Sequence, residues 1–179
     1  CANYGGVTTY TINPLVAGDN CGILSTSYTV SGATTRSGTG NNASGVFAVG
    51  VSTITWTVTD IHNNSSTATQ TVTVTDNENP IITAPANLSV NNDAGICGAT
   101  VALGTPVTSD NCQVATVTNN APVAFPLGST TVTWTVTDGS GRTATATQTV
   151  TVTDATAPVI SAPATITANA GSNCTATVV

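Results

Sequence analysis

The strongest constraint on this chain is an internal repeat. Thr53-Ile54-Thr55-Trp56-Thr57-Val58-Thr59-Asp60 returns 78 places later as Thr131-Val132-Thr133-Trp134-Thr135-Val136-Thr137-Asp138. Thr69-Gln70-Thr71-Val72-Thr73-Val74-Thr75-Asp76 returns as Thr147-Gln148-Thr149-Val150-Thr151-Val152-Thr153-Asp154 at the same offset. Asn79-Pro80 and Ala84-Pro85-Ala86 have counterparts in Ala157-Pro158 and Ala162-Pro163-Ala164. A period of 78 residues is too long for a solenoid unit and suits a small autonomous domain. The expected organisation is a truncated repeat over 1–76, a complete one over 77–154 and the first strands of a third over 155–179. The start at Cys1, with no signal peptide, reads as an internal fragment whose export signal lies elsewhere.

Within the repeat the hydrophobic period is two. Val132, Trp134 and Val136 fall on one face and Thr131, Thr133, Thr135 and Thr137 on the other, the pattern of a half-buried strand. Asp138-Gly139-Ser140-Gly141 is a turn, and Val150 and Val152 mark the next strand, so the two read as the domain's last hairpin. Ile81-Ile82, Leu88–Val90, Ala99–Leu103, Val114–Val117 and Val123–Phe125 supply further short strands. No helical periodicity interrupts them. About seven short strands with frequent turns predict an all-β fold, tandem immunoglobulin-like antiparallel β-sandwiches. Trp56 and Trp134 lie in the inward register and are expected as core anchors.

Composition narrows the function. Charged residues make up 6% of the chain, lysine is absent, and the cations are Arg36 and Arg142 against eight acids, for a net charge of −6. A nucleic-acid partner needs a basic stripe to neutralise phosphates, which this chain cannot build, and an anionic membrane surface would repel it. Direct membrane insertion is not expected either, because no apolar run approaches the roughly 20 residues of a spanning helix. Hydrophobic residues are 40% and the mean hydropathy is +0.21, enough for a packed core.

Five cysteines stand at 1, 21, 97, 112 and 174. With a turn near Gly104-Thr105-Pro106, Cys97 and Cys112 would face each other at the open end of a hairpin and close a disulfide. Cys1 and Cys21 occupy the same two places in the first repeat, and Cys174 matches Cys97, with its partner beyond Val179. Disulfides imply an oxidising compartment outside the cytosol.

The order Asn79-Pro80, Ala84-Pro85-Ala86, Cys97-Gly98-Ala99-Thr100-Val101, Asp110-Asn111-Cys112, Phe125-Pro126-Leu127-Gly128 and the two Thr-Val strands resembles the HYR (hyalin repeat) domain. The resemblance covers the complete repeat and both flanking pieces. It implies an extracellular, immunoglobulin-like module associated with adhesion. The second disulfide of many family members falls here on Ala84 and on Ala144 or Ala146, so that bridge is not implied. The Thr-, Val- and Asn-rich, Lys-free composition is also similar to the long SprB-type surface adhesins of gliding Bacteroidota. That likeness implies type IX secretion, a cell-surface filament and a role in gliding motility.

Six of the eight acids are repeat-matched: Asp19 with Asp110, Asp60 with Asp138, Asp76 with Asp154. In a head-to-tail array the tip of the last hairpin lies where the preceding domain enters, which brings Asp138 towards Asp76 and Glu78. Oxygen ligands clustered at a junction suit Ca²⁺, and these three are the candidate ligands. The other reading gives these acids turn capping. Asp110 is harder to place, since the hairpin disulfide could hold it at the opposite pole. Catalysis finds little support: His62, the only histidine, sits in a turn whose counterpart has none.

The leading expectation is therefore a non-enzymatic stalk segment of a large extracellular, cell-surface adhesin. Its partners are the neighbouring repeats of the same chain, then surface glycans or other cell-surface proteins. The alternatives are a spacer in a secreted multidomain hydrolase, or a repeat that binds ligand through its Thr rows. Cys21 precedes Trp56 by 35 places and Cys112 precedes Trp134 by 22, which locates an insertion within Ser31–Gly50 of the first repeat.

Overall fold

The computed structural model describes residues 9–170, 172–174 and 178. Every regular element among them is a strand. The first body holds β1 (Thr9–Tyr10), β2 (Ile23–Gly32), β3 (Arg36–Thr39), β4 (Gly45–Val46), β5 (Gly50–Asp60) and β6 (Ser65–Val74). The second holds β7 (Ile81–Thr83), β8 (Leu88–Asn91), β9 (Gly98–Ala99), β10 (Val107–Ser109), β11 (Val114–Asn119), β12 (Phe125–Pro126), β13 (Gly128–Asp138) and β14 (Thr143–Thr153). Each body is organised on one four-stranded sheet, ordered β3-β2-β5-β6 in the first and β11-β13-β14-β8 in the second. Two-stranded ladders β1–β4, β7–β10 and β9–β12 complete the described sheets. All pairings are antiparallel except β8 with β14, which run parallel.

The alternation of β13 sets the second core. Val132, Trp134 and Val136 are buried, as are Val150 and Val152 of β14. Ala99 of β9 and Phe125 of β12 close on them from the facing layer. Each large apolar side chain so buried stabilises the fold by roughly 1.5–3 kcal/mol. On the outer face the register sets threonine against threonine: Thr131 opposite Thr149, Thr133 opposite Thr147, Thr135 opposite Thr145 and Thr137 opposite Thr143. β-Branched side chains pack well in such cross-strand pairs, which suits two long strands with one solvated face.

Trp134 also fixes a polar device. Its Nε1–H donates to Gln148 Oε1 at 3.2 Å, while Gln148 Nε2 donates to the carbonyls of Ala86 at 2.8 Å and Leu103 at 3.0 Å. Gln148 is fully buried, and its amide ties the hairpin to two loops of the facing layer. Its counterpart Gln70 is exposed, and Trp56 packs instead edge-on against Tyr28, with ring centroids 5.4 Å apart.

The insertion in the first repeat builds sheet. β2 has 10 residues where its counterpart β11 has six, and β3 is added as an edge strand beside it. Arg36 pins the following loop: its guanidinium donates to the carbonyls of Ala43 and Val46 and lies 4.4 Å over the Phe47 ring. The two hairpin tips are alike. Asp60 and Asp138 each bond through their backbone N–H to the carbonyl four residues on, and Asn63 and Gly141, 78 places apart, both take a left-handed backbone. Asn and Gly are the residues that tolerate this conformation.

Three expectations need correcting. β9 is only two residues long and pairs with β12, while β10 pairs with β7, so no hairpin joins Cys97 to Cys112. The expected Cys97–Cys112 and Cys1–Cys21 bridges are not formed, since Cys97 and Cys21 are free and exposed. Residues 155–170, expected as the first strands of a third repeat, form no strand and are exposed throughout. In the second body the strands at the corresponding places, β7 and β8, pair with β10 and β14.

Candidate functional site

The acids of this chain are first of all turn formers. Asp60 Oδ1 accepts the N–H groups of His62 and Asn64, and Asp138 Oδ1 accepts those of Ser140 and Arg142. Asp19 accepts from Cys21 and Gly22, and Asp110 from Cys112 and Gln113. Asp76 Oδ1 accepts from Glu78, and Asp154 Oδ1 from Thr156. One carboxylate oxygen is used in the same way in each member of every matched pair. At Asp60 these bonds, led by the side-chain amide of Asn64, hold the carboxyl below its ordinary pKa.

Where the linker enters the second body, the other oxygens differ. Asp76 Oδ2, Asp110 Oδ1 and Asp138 Oδ2 are buried with no hydrogen-bond partner. Asp76 is 7% exposed and Asp138 2%. Ligand atoms of Asp76, Asp110 and Cys112 lie within 4.8 Å of one another. Asp138 belongs to the same pole, because it pairs with Val114 and the following Gly139 N–H donates to the Gln113 carbonyl at 2.9 Å. An anionic oxygen buried without a partner is costly, and carboxylates brought together repel. Of the other two expected ligands, Glu78 is exposed and Asp138 is buried, and neither is among the atoms within 4.8 Å of one another. Asp110, whose place the sequence left open, lies here beside Asp76.

Arg142 seals the same junction. Its Nε donates to the Asp76 carbonyl at 3.2 Å, its Nη1 to Asn79 Oδ1 at 3.3 Å and its Nη2 to Asn77 Oδ1 at 3.2 Å. The planar fork thus takes three acceptors from one short linker. Val49 and Val51 of the first body line one cleft with Asp76, Asn77, Gly139 and Arg142, so both bodies meet at this hairpin tip. Sequence reasoning passed Arg142 over. The signal was present: it is one of two cations in the chain, in the tip predicted to face the linker.

Residues 75–152 match the HYR domain family. This segment is a HYR domain. The chain is 36% identical over 129 residues to hyalin of Lytechinus variegatus, covering 67% of this chain and 24% of that protein. It is 33% identical over 133 residues to hyalin of Strongylocentrotus purpuratus, covering 70% of this chain and 11% of that protein. The chain therefore spans a quarter or less of the curated relatives it matches. The HYR segment includes Asp76, Asp110, Asp138 and Arg142, so the linker contacts are internal to it.

The cysteines of the HYR domain lie at its two ends. Cys112 stands beside Asp76 at the entry pole and is disulfide-bonded. Cys97 is free at the exit pole, where it shares a cleft with Asp154, Thr156 and Pro158. The Asn92 N–H bonds the Thr153 carbonyl, and Asp93 N–H bonds that of Gly98, which fixes this loop at the end of β14. β14 has 11 residues and spans about 35 Å at ~3.4 Å each, far beyond the roughly 7 Å that a disulfide allows between Cα atoms. Cys174 is free and exposed, and Cys1 lies outside the described residues.

Proposed function

We propose that this chain is a stalk segment of a long extracellular adhesin, in which stacked HYR domains hold a binding tip away from the cell surface. The linker seated in the second body is the observation that favours this reading. Asp76 and Pro80 are buried, and Arg142 bonds the Asp76 carbonyl and the side chains of Asn77 and Asn79. A linker absorbed into the following domain loses the freedom that an exposed one keeps. Transmitting reach along an array asks for this property; catalysis does not. The near-absence of charge and the outer Thr ladders suit a solvated, weakly interacting shaft.

Ca²⁺ belongs to the same proposal. A hard cation takes oxygen ligands, and Asp76, Asp110 and Asp138 each offer one unpartnered oxygen at the entry pole. Waters would complete the shell, and Cys112, bonded through sulfur, is no ligand. The ion would join the linker's Asp76 to two turns of the domain it enters. The similarity to SprB-type adhesins supports service in surface attachment or gliding motility after type IX secretion.

Electron microscopy of the intact parent protein tests the proposal. Long thin filaments with beads of constant spacing are the expected result. A compact particle in which these domains pack around a catalytic unit would overturn it.

A further inference from the structure

We infer that the first body accepts residues 155–170 of a second copy of this chain as added strands, so that copies join head to tail. The site is a place that the second body covers and the first leaves open. β5 and β6 repeat the hairpin of β13 and β14 in the same register, Trp56 opposite Ala68 as Trp134 is opposite Ala146. β1 pairs with β4 as β9 pairs with β12. In the second body β7 pairs with β10 and packs against β13 and β14, while β8 adds in parallel to the edge of β14. Among the described residues of the first body, no strand takes either place.

Burial differs accordingly. β6 is an edge strand, and its inward-register residues Ser66, Ala68 and Gln70 are exposed. Their counterparts Ala144 and Ala146 are half-buried, and Gln148 is buried. A cleft of about 270 Å³ opens over the β5–β6 hairpin, lined by Trp56, Val58 and Ala68 on one side and by residues 15–19 on the other. Val16-Ala17-Gly18 precede Asp19-Asn20-Cys21 as β10 precedes Asp110-Asn111-Cys112. The cleft therefore lies between the β10 place and the hairpin, where β7 sits in the second body.

The occupant is written in the same chain. Val159-Ile160-Ser161-Ala162-Pro163-Ala164 repeats Ile81-Ile82-Thr83-Ala84-Pro85-Ala86, and Ile166-Thr167-Ala168-Asn169 repeats β8. Ile82 and Leu88 pack on the second core, whereas their counterparts Ile160 and Ile166 are 94% and 65% exposed. Residues 155–170 carry no charge, so they meet no repulsion from Asp19 and Asp60 at the cleft. The pairing of Val150 with Leu88 and of Val152 with Val90 sets the expected register, Val72 with Ile166 and Val74 with Ala168. Strand addition of this kind satisfies an open row of backbone groups and buries alternate side chains. Donor and acceptor are different surfaces, so the contact is heterologous, and each added copy leaves one of each free. The inference needs only this chain and stands apart from the role of the parent protein.

The test is sedimentation velocity of the 1–179 chain at rising concentration, after alkylation without reductant so that Cys21, Cys97 and Cys174 cannot bridge copies. The expected result is a mass that climbs with concentration by whole chains. A synthetic peptide of residues 155–170, added in excess, should return the chain to monomers. Two variants at exposed positions separate the halves of the contact. Ile160→Asp with Ile166→Asp spoils the donor and keeps the acceptor; Ala68→Arg fills the cleft and keeps the donor. Each alone should sediment as a monomer with the parent's circular dichroism spectrum. Mixed, they restore one contact and should give a complex of two chains, about a twofold gain in mass with nothing larger. A parent chain that stays monomeric at every concentration overturns the inference. So do assemblies that ignore the peptide, growth that survives either variant, or a mixture of folded variants that stays monomeric.

Discussion

Arg142 donates from Nε to the carbonyl oxygen of Asp76, a residue 66 places earlier, at 3.2 Å. With its bonds to Asn77 and Asn79, this contact turns the linker into part of the HYR domain. The acceptors are neutral and the bonds long, at 3.2–3.3 Å, so the guanidinium makes no ion pair here and the value of the bonds lies in their convergence. Arg142→Ala should cost roughly 1–2 kcal/mol and lower the domain's Tm by several degrees. Arg142→Lys should not restore it, because an ammonium cannot fork to three oxygens. Thermal unfolding of both variants decides the matter, and full rescue by lysine would remove the fork from the account.

Gln148 and Gln70 hold the same sequence position and differ in burial. Gln148→Leu strands the Trp134 N–H and the carbonyls of Ala86 and Leu103, and should destabilise by about 2–4 kcal/mol. Gln70→Leu should lie within about 0.5 kcal/mol of the parent. Denaturant melts of the two variants measure the difference, and equal costs would contradict the buried network.

Calcium should raise the Tm of the chain relative to chelator. Asp76→Asn and Asp110→Asn should abolish the rise by removing a ligand charge. Asp93→Asn should keep it, because Asp93 caps the Thr100 N–H at the other pole. Identical melting curves with calcium and with chelator would end the metal proposal.

Asp60 is held below the ordinary carboxylate pKa, first by the side-chain amide of Asn64. Its folded form favours the charged carboxylate. The stability it contributes is complete above the unfolded pKa and is lost as pH falls through the lowered folded value. Asn64→Ala should raise the Asp60 pKa towards the ordinary range in a carbon-detected NMR titration. An unchanged midpoint would assign the shift to another cause.

The sandwich was legible because its signal is local. Alternation through Val132, Trp134 and Val136 names the buried face, and Asp138 to Gly141 names the turn. The pairing of β9 and β10 was not legible, because two- and three-residue strands carry no alternation and find partners far along the chain. Cys97 and Cys112, 15 places apart across a turn signal, therefore suggested a hairpin that the long-range ladders with β12 and β7 replace. The same step left the pole of Asp110 open. Hairpin polarity was legible too: the tip that starts at Asp138 carries Arg142, which bonds the Asp76 carbonyl. Glu78 was included on sequence proximity, but the Asx turn at Asp76 leaves it in solvent.

The central claim is a stiff junction, and residual dipolar couplings across it test that claim most directly. In a weakly aligned sample of the 1–179 chain, the couplings of β2, β5 and β6 and those of β11, β13 and β14 each define an alignment tensor. A linker seated by Arg142 predicts one tensor, of common magnitude and orientation, for both sheets. Two tensors of different magnitude, as for bodies that reorient independently, would contradict it.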